Sequence, residues 1–149
     1  MPAHNAGMTA SSPYITAPDL EARFGRDFLL NATDPTNTGE VNTAKVERAI
    51  ADATSLINSY LGKRYLLPVP NVPDALQRIA ADLVRYFLFD SPSEDISKRH
   101  DAAQRWLRDV STGVVSLGLQ ESKAPASAVG AVVVDGPPRL FTRKTMEGY

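Results

Sequence analysis

Apolar residues recur at three- and four-residue steps through three long stretches of the chain, and each stretch reads as a helix with one buried face. In the first, Val46, Ala49, Ile50, Ala53, Leu56, Ile57, Tyr60 and Leu61 make an amphipathic helix from about Thr43 to Leu61, stopped by Gly62. In the second, Leu76, Ile79, Ala80, Leu83, Val84, Phe87 and Leu88 cover well over half the circumference of residues 73–89. That predicts the most buried helix, with Pro73 in its first turn. The third buries Ile96, Ala103, Trp106, Leu107 and Val110 and stops at Gly113; Ser91, Pro92 and Glu94 read as its capping box. A shorter helix opens where Thr16 precedes Asp19 by three residues, carries Leu20 and Phe24 on one face and ends at Gly25. The core expected from these periodicities is Ile50, Ile57, Leu76, Ile79, Leu83, Phe87, Trp106 and Leu107.

Between and around these stretches the pattern breaks. Residues 1–13 offer little to bury and read as a flexible N-terminal tail. Residues 26–42 include Asn-Ala-Thr-Asp-Pro-Thr-Asn-Thr-Gly, and this turn-forming run predicts one long loop instead of a helix. Pro68 and Pro70 make 63–72 a stiff, extended link. Residues 114–119 read as a short strand or an extended segment. From 120 to 149 large apolar groups are sparse, apart from Val129, the run Val132-Val133-Val134 and Leu140-Phe141, so this part reads as an extended C-terminal arm for docking on a partner. The expected fold is mainly α: a small helical bundle of three long helices plus a short N-terminal helix, a turn-rich loop at 26–42 within a core of 14–119, and the arm at 120–149.

Composition narrows the function classes. The 149 residues suit one domain, and the absence of cysteine excludes disulfides and thiolate metal sites. The formal charge of −1 is spread evenly, with no basic block of the kind that holds duplex DNA by neutralising phosphates. Lys63, Arg64, Lys98, Arg99, Arg105 and Arg108 are interleaved with Asp95, Asp101 and Asp109 and read as a solvated face. No apolar run approaches the ~20 residues of a membrane span, and the N-terminus lacks a signal-peptide layout, so a soluble intracellular protein without a membrane partner is expected.

Catalytic chemistry is not visible. His4 and His100 are the two histidines, too few for a histidine metal site, and His100 reads as a surface or partly packed side chain. Gly113-Val114-Val115-Ser116-Leu117-Gly118 fails as a nucleophile elbow, because its first glycine is one residue too far away and a helix precedes it. Glycines at phosphate-loop spacing are absent as well. The expectation is a protein that is not an enzyme and needs no cofactor.

Several stretches resemble the small head-tail adaptor (connector) proteins of Mu-like phages and prophages. They are Tyr14-Ile15-Thr16-Ala17-Pro18-Asp19-Leu20, the block from Ala49 through Tyr60-Leu61-Gly62-Lys63-Arg64-Tyr65 with Pro68 and Pro70, Ile79 to Tyr86, the helix bearing Trp106 and Leu107, and Arg139 to Met146. The resemblance implies a virion protein at the head-tail junction, present in the host cytoplasm during assembly. It implies a ring beneath the portal, commonly of twelve copies, that joins the DNA-filled head to the tail and meets a tail-side stopper or tail-completion protein. DNA passes through such a ring without sequence-specific binding.

On that reading the arm residues Val132, Val133, Val134, Arg139, Leu140, Phe141 and Arg143 dock on the portal. Asp27, Asp34 and Glu40 face the channel or the next ring, where their charge repels phosphates. The polar faces of the helices from 43 and 92 meet neighbouring copies. The competing reading is a small helical nucleic-acid-binding or regulatory module, against which the even charge speaks.

Overall fold

The structure, a computed structural model, describes residues 12–122. These residues form five helices in chain order: α1 (Ala17–Phe24), α2 (Arg26–Thr33), α3 (Thr43–Leu61), α4 (Asp74–Leu88) and α5 (Glu94–Thr112). The protein is mainly helical, and the only β pairing among the described residues is a single antiparallel bridge between Tyr65 and Glu121. The tail residues 1–11 and the arm beyond Ser122 lie outside the described residues.

Helix α4 packs against both α3 and α5, which also touch each other, while α1 lies on α2 and α3. The center of the bundle is therefore α4, the helix with the widest apolar face. Leu76, Leu83, Val84 and Leu88 from α4, Ile57 and Leu61 from α3, and Leu107 and Val110 from α5 are fully enclosed. Ile50 is also buried, whereas Ile79, Phe87 and Trp106 pack against this core with part of their surface in solvent. Tyr14 and Ile15 are buried too, and the Tyr14 hydroxyl donates to the Asn58 side chain, strapping the start of the described chain onto α3.

Helix boundaries follow local chemistry. Thr16 and Asp19 form a reciprocal capping box at α1, with the threonine hydroxyl receiving the Asp19 N–H and the carboxylate receiving the Thr16 N–H. The Asn42 side chain caps α3 by accepting from the Lys45 N–H at 3.1 Å. Gly113, at φ +87°, ends α5 in the left-handed conformation that favours glycine.

Two expectations require correction. Arg26–Thr33 is a helix, so the turn-rich connection shrinks to residues 34–42. The turn formers misdirect the reading because Phe28, Leu29 and Ala32 share a face at helical spacing, and the Thr33 hydroxyl donates to the Leu29 carbonyl at 2.7 Å instead of breaking the turn. The cap of α5 is Ser93, not Ser91: its hydroxyl accepts from the Ile96 N–H at 3.4 Å, and Pro92 holds Ser91 outside the helix.

Aromatic contacts fix α1 and α2 on α4. The Phe24 and Phe28 rings lie 5.1 Å apart, and Phe28 meets Phe89 edge-on at 5.5 Å. The Arg85 guanidinium lies 4.7 Å from the Phe24 centroid and 5.2 Å from that of Phe28. His100 is buried and stacks on Tyr86 at 3.8 Å between centroids, with Gln104 within hydrogen-bond reach at 3.2 Å. It is a packing residue of the α4–α5 seam, more enclosed than its sequence context implies.

Candidate functional site

The most constructed part of the surface is where the chain leaves α5. After Gly113 the backbone runs extended along the α3–α4 connection. Leu66 N–H donates to the Gln120 carbonyl at 3.1 Å, and Ser122 N–H donates to the Arg64 carbonyl at 2.9 Å. The Tyr65 hydroxyl accepts from the Leu117 N–H at 3.1 Å. Arg64 closes the arrangement: its guanidinium meets the Glu121 carboxylate at 2.6 and 2.8 Å and reaches the Val110 and Val115 carbonyls at 3.4 Å. A planar donor fork suits this convergence of a carboxylate and two carbonyls. Residues 120–122 are thus bonded to the body, to the end of the described residues.

The exposed large apolar side chains among the described residues are Leu66, Leu67 and Val114. All three belong to the two segments that Arg64 joins. Val114 follows Gly113, where an added Cβ would come within 3.1 Å of the Arg64 guanidinium, and an added Cβ at Gly62, just past α3, would lie 3.5 Å from the Leu67 side chain. The two segments joined by Arg64 therefore carry these exposed apolar groups together with the last described residues.

The expected acidic residues Asp27, Asp34 and Glu40 differ in their surroundings. Asp27 is exposed on the first turn of α2. Asp34 is occupied by its own loop: its carboxylate accepts from the Thr38 N–H and hydroxyl, each at 3.0 Å, and from the Gly39 N–H at 2.7 Å. Those bonds, the Thr38 N–H foremost, hold its carboxyl below the usual range. Glu40 is exposed and lines a cleft with Glu21, Arg26 and Leu29. Asp27 and Glu40 remain as outward charges, and Asp34 is a loop-shaping residue.

A second depression, about 320 Å³, runs between α4 and α5 and is lined by Arg78, Ile79, Asp82, Arg99 and Trp106 among others. Burial pushes the Asp82 carboxyl up, and Arg99, Arg85, Arg78 and Arg23 around it pull the other way. Arg99 is already paired with Asp95 at 3.1 Å. No cluster of three or more metal-ligating side chains occurs among the described residues, and none of their helices is long and apolar enough to cross a membrane.

The expected docking residues Val132, Val133, Val134, Arg139, Leu140, Phe141 and Arg143 lie outside the described residues. The composition-based reading missed Arg64, which it placed among solvated basic residues. The available signal was its position between Tyr60-Leu61-Gly62 and Tyr65, where a helix ends and a long side chain has carbonyls within reach.

A family model described as "Bacteriophage Mu, Gp36" matches residues 14–135. Gene product J of Escherichia phage Mu is 37% identical over 135 residues, covering 88% of this chain and 95% of that protein. The Mu-like prophage FluMu protein gp36 of Haemophilus influenzae is 32% identical over 110 residues, covering 73% of this chain and 78% of that protein.

Proposed function

The chain belongs to the bacteriophage Mu Gp36 family, and from that premise we propose that it is a structural virion protein acting as a head-tail connector. The observation that carries the reading is the likeness to phage Mu gene product J along nearly the whole of both chains. In this reading copies of the protein form a ring, commonly of twelve, beneath the portal, and the ring joins the DNA-filled head to the tail. It works as an assembly part and not as an enzyme, and it requires no cofactor.

Three physical features support the proposal. A continuous apolar core runs through α3, α4 and α5 and holds the bundle together. Its charge is near balance, so DNA would meet no strong electrostatic trap while passing. Asp27 and Glu40 add outward negative charge at one lobe, suited to a channel wall or to the next ring.

A ring of identical subunits needs two different complementary faces on each copy and a rotation that closes. The polar faces of α3 and α5 are the lateral surfaces in this proposal. The portal contact falls to Arg139, Leu140, Phe141 and Arg143, which supply two apolar anchors flanked by positive charge. A tail-side stopper or tail-completion protein takes the opposite face.

The test is the mass of the purified protein alone and after mixing with portal protein, by native mass spectrometry or light scattering. The expected result is a small species alone and a ring-sized increment on the portal. A protein that ignores the portal and instead retains duplex DNA at physiological salt would overturn the connector reading.

A further inference from the structure

We propose that Val132-Val133-Val134 of the same chain pairs as an added strand with the outer edge of residues 119–122, whose Gln120 is bonded on its inner side to exposed Leu66. The inference stands on residues 64–66 and 119–122 and holds with or without the connector reading; within that reading it takes Val132-Val133-Val134 out of the expected portal contact and leaves Arg139, Leu140, Phe141 and Arg143 there.

Among the described residues this segment is paired on one side alone. In the Tyr65–Glu121 bridge, the Gln120 carbonyl and the Ser122 N–H point inward to residues 64–66. Neighbouring positions in an extended segment present their backbone groups to the opposite side, so the N–H and C=O of Glu121 point outward. Among the described residues neither has a hydrogen-bond partner. An unpaired edge next to an exposed apolar side chain is a template for another strand.

The occupant follows from the sequence just beyond this edge. Residues 123–131 are Lys-Ala-Pro-Ala-Ser-Ala-Val-Gly-Ala, and Val132-Val133-Val134 comes next, the longest run of β-branched residues in the chain. Nine intervening residues span at most ~30 Å, ample to turn back antiparallel on the segment that precedes them. Closing a loop of that size costs little more than closing the shortest ones. Tethering also gives the run an effective concentration of ~mM at the edge, which favours it over the same run from a second copy. Asp135-Gly136-Pro137-Pro138 ends the pairing, since proline has no N–H to donate. The family match extends to residue 135 and so includes the run.

The experiment is hydrogen exchange on the full chain, comparing the wild type with a variant carrying both Val132→Pro and Val133→Pro. Adjacent strand residues point their N–H groups to opposite sides, so one of the two substitutions must remove a ladder donor. The expected result is that the Glu121 amide exchanges about tenfold or more slowly in the wild type, at any protein concentration, while the helices exchange alike in both. A Val133→Thr variant, which keeps β-branching and the N–H, should retain the protection. Equal exchange of Glu121 in wild type and proline variant overturns the proposal. Protection that appears only as concentration rises overturns it too, by assigning the edge to another copy.

Discussion

Arg64 and Glu121, 57 residues apart in sequence, meet through two short contacts of 2.6 and 2.8 Å that tie the segment after α5 to the α3–α4 connection. Glu121 is about half exposed, with 53% of its side-chain surface accessible against 23% for Arg64, so the ion pair alone contributes little. The Val110 and Val115 carbonyls and the Tyr65 ring beneath the guanidinium add the rest. Arg64→Ala is expected to destabilise the fold by ~1–3 kcal/mol, and Glu121→Gln by less than ~1 kcal/mol. Urea unfolding of both variants checks this ordering, and equal losses would locate the effect in the ion pair.

Gly113 sits under the same guanidinium. A methyl group there would be strained at φ +87° and would press on Arg64 from 3.1 Å. Gly113→Ala should cost ~1–2 kcal/mol, and part of that cost should vanish when Arg64 is also replaced by alanine. A double-mutant cycle measures the coupling. Strict additivity would show that only the backbone conformation matters.

The helical pattern made the bundle legible because three long periodic faces have no competing interpretation. Leu76, Leu83 and Leu107 are buried at the positions that the 3.6-residue repeat assigns. Helix α2 was illegible for the opposite reason: in Arg26–Thr33 a two-turn apolar face competes with Asn31, Thr33 and Asp34, and tertiary contact with α1 decides. The clasp at Arg64 was illegible because it joins two irregular segments, whose pairing has no period to read. Asp34 shows a further limit, since composition displays a charge but not the amides that occupy it.

Burial of Tyr14 pushes its phenol up to about 12 from the usual 10.0. The phenolate form is therefore favoured in the unfolded chain between those values. The stability that depends on the neutral hydroxyl is complete below pH 10 and is lost as pH rises toward 12. Tyr14→Phe should remove this part of the alkaline loss while lowering stability at neutral pH through the lost bond to Asn58. Stability measured from pH 8 to 12 for both proteins checks the difference in slope.

Charge reversal separates the two roles found among the acidic residues. Asp34→Lys removes the acceptor of three loop bonds and should disturb residues 34–42 before any effect on a channel is felt. Glu40→Lys leaves those bonds intact and tests outward charge alone. If this lobe faces passing DNA, Glu40→Lys should slow ejection and restore normal kinetics as salt rises. Unchanged ejection at low salt would count against a channel-facing lobe.

The arm can now be tested without damaging the body. A chain ending at Leu119 would lose Glu121, the Leu66–Gln120 bond and the Ser122–Arg64 bond, so failure to join heads and tails would be ambiguous. Ending the chain at Ser122 preserves all of these, and Leu140→Asp with Phe141→Asp in the full chain is gentler still. If Leu140 and Phe141 anchor the protein on the portal, the double variant should match the wild type in thermal unfolding yet leave heads and tails unjoined. The expected loss of portal affinity is at least about 100-fold, as for two buried apolar anchors worth ~1.5–3 kcal/mol each. Normal joining by the double variant would free the arm from the portal contact and shift that role to the helical faces.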